Sequence, residues 1–391
     1  MARYFWRWLV LVFWASLSLA GAQGMRNPPE GNAALGQAGA FIAQCDDPSA
    51  ITHNPAGLIQ ITGTEWLAGV NTILSNTWYR SDLFSDKKDF SPIMLPYVFL
   101  SSDLGKEKFR VGVGVTIPFG QSTEWSQETV RKWNYASPYY AGLQTADVIT
   151  AGCWKLSPEL SLGVALHVYS SRLAINNLLP FPVESEAKIR VTGYAAAPAL
   201  GLLYRQSRYS FGLTYKAKFS IDYDGKLRWL NFGELPAEAT INFPALAGAG
   251  FAFRPTPSWK IETDVEWIGY SVLDQINLVV AGLSQPQPRH WRDCYTFSLG
   301  TEYQHQDRWK LRGGLAYLQT PVPATTLEPT LADADRLAVS FGGQRKFSWA
   351  TVEASVTSSF FKKRHGQSGA PYDGQYRSSA YFLNLSCQRF W

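Results

Sequence analysis

Between Tyr209 and Asp224 apolar and polar residues alternate without a fault. Tyr209, Phe211, Leu213, Tyr215, Ala217, Phe219, Ile221 and Tyr223 fall on one face of a β-strand, and Ser210, Gly212, Thr214, Lys216, Lys218, Ser220, Asp222 and Asp224 fall on the other. Globular strands usually have about five or six residues, so this one is unusually long, and its apolar face carries aromatics at both ends. A lipid-facing barrel strand has that form. The pattern predicts one uninterrupted strand.

Fourteen strand-like segments follow Gly63, at 64–78, 91–103, 107–120, 140–156, 160–174, 188–205, 208–224, 238–254, 258–277, 292–306, 308–319, 334–346, 349–363 and 376–391. The even count suits a bacterial barrel. Trp259, Ile261, Val265 and Trp267 alternate with Lys260, Glu262, Asp264 and Glu266; four charges on one inward face are costly in a dry core but acceptable in a polar lumen. Connections alternate short and long, with long ones at 79–90, 121–139, 175–187, 225–237, 278–291, 320–333 and 364–375. Short turns belong to the periplasmic side, so both chain ends are expected there. The expected fold is all-β, a 14-stranded antiparallel transmembrane β-barrel over residues 64–391.

Residues 23–63 are rich in small residues and non-periodic, with Gly36 to Ala40, Asp46-Asp47 and Asn54-Pro55-Ala56. Either this stretch is a compact hatch packed inside the lumen, or it is a disordered arm. Before it, Arg3 and Arg7, an apolar run from Trp8 to Leu19 and Ala20-Gly21-Ala22 read as a signal peptide over 1–22. No apolar run in the mature part is long enough for a transmembrane helix. Without Arg3 and Arg7 the formal charge falls from +5 to about +3, too mild to argue for nucleic acid. Cys45, Cys153, Cys294 and Cys387 show no metal spacing; a bridge from Cys45 to inward-facing Cys153 or Cys294 is open, with free thiols the default. The last strand ends in Trp391, a terminal aromatic of the kind read by barrel assembly machinery.

The third strand breaks its own rule. Pro118 cannot donate to a ladder and Gly120 permits unusual dihedrals, so Pro118-Phe119-Gly120 mark either the strand's end or an opening in the wall. Apolar residues also gather at exterior loops: Trp125, Trp133 and Tyr135 in one, Leu178, Leu179 and Phe181 in another. They form either a capture site for a hydrophobic ligand or loop-to-loop packing. Enzyme signals are poor: none of the five histidines sits in a hydrolase or metal motif, and His167 with Ser170 or Ser171 is the nearest pairing. No catalytic residue, metal or cofactor is expected.

Together these pieces resemble the FadL/TodX (OmpP1) family of outer-membrane transporters of long-chain fatty acids and other hydrophobic compounds. The likeness covers nearly the whole mature chain. It rests on Gly36, Gly39, Asp46, Asp47 and Asn54-Pro55-Ala56 as the hatch, on Ile117-Pro118-Phe119-Gly120, and on Leu299-Gly300-Thr301-Glu302-Tyr303, Trp309 to Gly314 and Pro321-Val322-Pro323. The resemblance implies passive transport by a plugged monomeric barrel among outer-membrane lipid and lipopolysaccharide, with lateral release at the third-strand kink. Where fatty-acid members offer a basic residue for a carboxylate, an ungapped match gives Asn176; Arg172, Arg289 and Arg292 are the cations at hand. The alternative is a FadL-like barrel that serves secretion or surface attachment by binding a protein.

Overall fold

The computed structural model describes residues 23–180, 183–229 and 233–390. The expected signal peptide, Phe181 and Trp391 lie outside the described residues.

The strands close into one antiparallel barrel of fourteen. The first, Thr64–Arg80, pairs with the last, Gln375–Phe390, from Glu65 opposite Phe390 to Arg80 opposite Gln375. Between them run Ile93–Ser102, Phe109–Glu124, Tyr140–Lys155, Leu160–Leu179 and Ser185–Arg205 as the second to sixth strands. The ninth to thirteenth are Trp259–Ile268, Cys294–His305, Trp309–Leu318, Arg336–Lys346 and Thr351–Phe361. The last described residue, Phe390, lies at the short-turn end opposite Glu65, whereas Gln23, the first, donates to Gln319 O at the long-loop end of the eleventh strand.

Burial is inverted relative to a protein in water. Phe341, Leu385, Leu311 and Phe297 are exposed on the outer wall, whereas Glu262, Glu302, Glu353 and Arg312 are buried inside. Only a hydrocarbon solvent outside and a polar filling inside make that arrangement favourable.

The seventh and eighth strands correct the expectation of an uninterrupted Tyr209–Asp224 strand. Each is two pieces: Tyr209–Lys216 with Phe219–Trp229, and Gly233–Phe243 with Leu246–Thr256. The ladder stops after Lys216 opposite Leu246 and resumes at Phe219 opposite Phe243. Pro244 has no N–H to give, and its strand mate breaks at the same height. Across the gap the phase reverses in both strands. Phe211, Leu213 and Tyr215 face lipid, but Phe219, Ile221 and Tyr223 are buried inside, while Ser220, Asp222 and Asp224 are exposed outside.

The wall also rises higher than expected. Residues 175–179 and 185–187 are laddered strand, as are 225–229 and 233–237, so two of the expected long loops shrink to short connections. The buried side chains Leu178, Ile189 and Leu227 join one apolar cluster, which draws these segments into the wall. The ninth strand stops at Ile268; Gln275–Val280 and Leu283–Pro288 form a separate hairpin leaning on the eighth strand.

Residues 23–61 pack against the inward faces of the strands. Asn54 Nδ2 donates to Ile42 O at 3.0 Å and to Leu202 O of the sixth strand at 3.1 Å. Two wall glycines permit this approach: a Cβ at Gly163 would lie 2.2 Å from Ala56 N, and one at Gly201 would lie 2.1 Å from Asn54 Oδ1. Phe41, Ile51 and Leu58 are fully buried against the wall. All four cysteines are free.

Candidate functional site

The third strand parts from the second near its middle. The two are laddered from Ser102 opposite Val111 to Val98 opposite Val115, and beyond that point Ile93 to Tyr97 have no third-strand partner. The register with the fourth strand slips between Thr116 and Phe119. The N-terminal segment takes the vacated hydrogen bonds. Asn27 N donates to Pro118 O at 2.9 Å, Gly120 N donates to Met25 O at 2.8 Å, and Asn27 Nδ2 donates to Ile117 O at 2.7 Å. Pro118 needs no donor partner, so the inward turn leaves nothing unsatisfied on its nitrogen.

Phe119 enters the interior there and meets an aromatic stack. Its ring centroid lies 5.2 Å from Phe243 and 5.9 Å from Phe219. Phe219 and Phe243 stack at 4.7 Å, and Tyr169 stacks on Phe219 at 4.0 Å. Without the phase reversal in the seventh and eighth strands, Phe219 and Phe243 would face outward. The kink and the paired break therefore supply one construction from opposite walls.

The stack separates two interior compartments. On the long-loop side a cavity is lined mainly by apolar groups, among them Leu143, Leu173, Ile241, Leu278 and Trp291. On the other side a cavity lies between the N-terminal segment and the wall, with Arg26, His53, Lys216, Asp264 and Ser298 among its lining. A smaller space, lined by Pro118, Phe119, Tyr169 and Lys216, sits directly behind the kink.

The residues singled out in the sequence scatter over this plan. Gly36 lies against Gly342 of the twelfth strand, and Gly39 has φ +93°, open to glycine. Lys260 Nζ bonds Asp46 at 2.7 Å and Glu302 at 2.9 Å. Asp47 accepts from Ser49 N at 2.7 Å, and Asn54 caps the helical turn Pro55–Gln60, which contains Ala56. Trp125 and Trp133 are fully buried and pack on each other at 5.1 Å, and Trp133 also meets Tyr79, so neither offers a free face to a ligand. Leu178 and Leu179 stand in the fifth strand rather than in a loop, Leu178 buried in the apolar cluster.

Tyr135 joins an exterior tie in which Glu184 accepts from Arg131 at 2.7 and 2.8 Å and from Tyr135 at 2.8 Å. The hydrogen bonds from Arg131 and then Tyr135 bring the Glu184 carboxyl down to about 2. Arg172 falls in the outward phase of the fifth strand, Arg292 is exposed, and Arg289 lines the apolar cavity but is paired with Glu328. His167 Nδ1 lies 2.7 Å from Asp147, while Ser171 bonds Thr145 and Tyr223, so no Ser–His pair forms among the described residues. Lys216, Tyr169, Phe219 and Phe243 were not singled out. The signal for them was Pro244, inside a stretch that otherwise alternates.

Residues 11–390 match the family model of outer membrane protein transport proteins, OMPP1/FadL/TodX. The chain belongs to that family. It is an outer-membrane β-barrel transport protein, not an enzyme. A long-chain fatty acid transport protein of Escherichia coli O6:H1 is 24% identical over 356 residues, covering 77% of this chain and 78% of the relative. A putative outer membrane protein of Neisseria meningitidis serogroup B is 24% identical over 369 residues, 78% of each chain. Among solved structures, a Pseudomonas aeruginosa FadL homologue superposes with TM-score 0.84 at 19% identity, covering 94% of this chain and 99% of its own. The Pseudomonas putida toluene transporter TodX gives 0.74 at 15% identity, covering 96% and 99%.

Proposed function

We propose that this barrel carries hydrophobic small molecules passively across the outer membrane, as a monomer, and releases them sideways between the second and third strands. One observation carries the reading: Ile93 to Tyr97 lose their third-strand partner where Phe119 turns into the interior. Cargo enters the apolar cavity from the long-loop side, passes the aromatic stack and leaves at Pro118-Phe119-Gly120. The N-terminal segment acts as a plug that keeps the axial route shut, held by Asn54 and by the Asp46–Lys260 pair.

The sideways path suits a greasy cargo, because the bilayer interior returns the roughly 0.8 kcal/mol per CH₂ that water would charge. Replacing Pro118-Phe119-Gly120 by Val-Thr-Val restores a ladder-competent strand. Uptake of a radiolabelled fatty acid or aromatic hydrocarbon is expected to fall in that variant, with heat-modifiable migration unchanged. Uptake equal to the parent across a panel of both cargo types would dismiss lateral release at this place.

A further inference from the structure

We infer that the outer wall carries a docking site for the phosphorylated sugar headgroup of an outer-leaflet glycolipid, built from Arg80, Lys87, Lys363 and Arg377 where the first and last strands meet. These four cations line one surface depression together with Trp78. Strand pairing fixes their arrangement. A short strand, Ser85–Lys87, folds back along the first, so Lys87 stands opposite Trp78 on one side and Arg377 of the last strand stands opposite it on the other. Neighbouring strands are about 4.8 Å apart, so the three form a row about 10 Å long, with Arg80 about 7 Å further up the same face. Lys363 joins from the link before Arg364, which pairs with Tyr376. The row faces outward: Trp78, Arg80, Lys87 and Arg377 are exposed, while Tyr79 and Tyr376, one position away, are buried inside.

The height of the row is that of the outer headgroups. Trp66 and Trp78 share the outward phase of the first strand, near its two ends. At about 3.3 Å per residue and a tilt of about 40°, they are about 30 Å apart along the membrane normal, the thickness of the hydrocarbon core. Arg80 therefore stands just above the hydrocarbon on the long-loop side. Toward the middle of the membrane the outer faces of the thirteenth and last strands expose Phe360, Tyr381 and Leu383, a bed for acyl chains.

Charge sets the ligand class. Among the described residues, none of the four cationic side chains makes a hydrogen bond or ion pair. Asp86, the one carboxylate among the described residues of the lining, accepts from Thr129 and from Lys87 N. Other exposed cations on the same side of the barrel do have partners: Lys188 with Glu186, Lys226 and Arg228 with Glu234, and Lys362 with Asp335. Like charges on one sheet face repel, and phosphate oxygens between them turn the repulsion into charge-assisted hydrogen bonds. A sugar headgroup with two phosphates offers one to each pair of cations. The single phosphate of a glycerophospholipid leaves half of them unanswered. Trp78 supplies the amphipathic ring that settles at this level.

The test titrates the purified full-length protein in mild detergent by native mass spectrometry. The probes are lipid A with two phosphates, the same lipid A stripped of phosphate, phosphatidylglycerol and inorganic phosphate. The parent is expected to bind one bis-phosphorylated lipid A per barrel, about tenfold or more tighter than the stripped lipid or phosphatidylglycerol, and to keep it against excess inorganic phosphate. The quadruple variant R80Q, K87Q, K363Q, R377Q should lose about tenfold or more, whereas K188Q with R190Q, elsewhere on the barrel, should stay within about twofold. Heat-modifiable migration confirms folding of each variant. Binding by the quadruple variant within about twofold of the parent, or equal binding of the stripped lipid, overturns the site. Equal binding of phosphatidylglycerol overturns the glycolipid assignment, and displacement by inorganic phosphate reduces the site to an adventitious anion site. The transport reading stands under each of these results.

Discussion

The plug reading makes a quantitative demand on two carboxylates of the ninth strand. Asp264 Oδ2 accepts from Phe41 N at 2.8 Å and Ile42 N at 2.9 Å, and Glu262 Oε1 accepts from Ala43 N at 2.6 Å. Leaving a buried donor without its acceptor costs about 1–3 kcal/mol, so the three together hold the segment by about 3–9 kcal/mol before any non-additivity. In the double variant Glu262→Ala, Asp264→Ala these three donors are left without acceptors in a buried place. The lower bound of about 3 kcal/mol corresponds to roughly a hundredfold rise in local opening. Hydrogen exchange at Phe41 to Ala43 should accelerate by about that factor. Ion steps absent from the parent should appear in planar-bilayer recordings. The wall should persist, because its ladder uses neither side chain, and heat-modifiable migration checks this. Asn54, the Asp46–Lys260 pair and buried Phe41 remain as ties, so loosening rather than ejection is expected. Exchange within about tenfold of the parent, in a silent barrel, would refute the idea that these carboxylates pin the segment.

Two other outcomes follow from the same geometry. Phe243→Ala removes the ring that Phe219 and Phe119 share, at 4.7 and 5.2 Å; the loss should be about 3–5 kcal/mol if the space stays empty, read as a lower unfolding temperature in heat-modifiability assays. A variant as stable as the parent would show that the site collapses on itself. At the exterior, the Glu184 carboxyl lies near 2 when folded against an ordinary 4.5, so its contribution is complete above about pH 4.5 and is lost as pH falls through about 2. Deuterium exchange of Gln127–Lys132, corrected for intrinsic rate, should rise in that window, and E184Q should show the same rise at neutral pH; equal exchange in parent and variant counts against the tie.

The strand count, the short-turn rhythm and the inside-out burial were all legible, because a period of two follows directly from strand geometry. The paired break was not. In the short-turn half of the seventh strand, lipid lies outside and polar groups inside; in the other half, Asp222, Asp224, Lys226 and Arg228 face water outside and Phe219, Ile221 and Tyr223 face a greasy cavity inside. A reversal of phase at the level where the two environments exchange polarity leaves the sequence pattern untouched. Alternation reports that two faces differ, never which face is which. For the same reason the Leu178 stretch was readable as apolar but not as strand, and Lys216 and Lys218, identical by pattern, end on opposite sides of the wall.

That exchange of polarity also bears on the route of the cargo. An alkyl chain in the apolar cavity that moves on along the barrel axis meets Glu262, Asp264, Glu302 and Arg312, all buried and all polar. Each CH₂ leaving apolar surroundings there costs about 0.8 kcal/mol, so a chain of about twelve carbons faces roughly 9–10 kcal/mol with no compensating contact. At the level of the stack, the chain is therefore driven to whatever apolar exit adjoins Phe119. The kink adjoins Phe119, and on the lateral-release proposal the chain takes the gap beside Ile93 to Tyr97, the one step at that level that keeps its CH₂ groups among apolar surroundings.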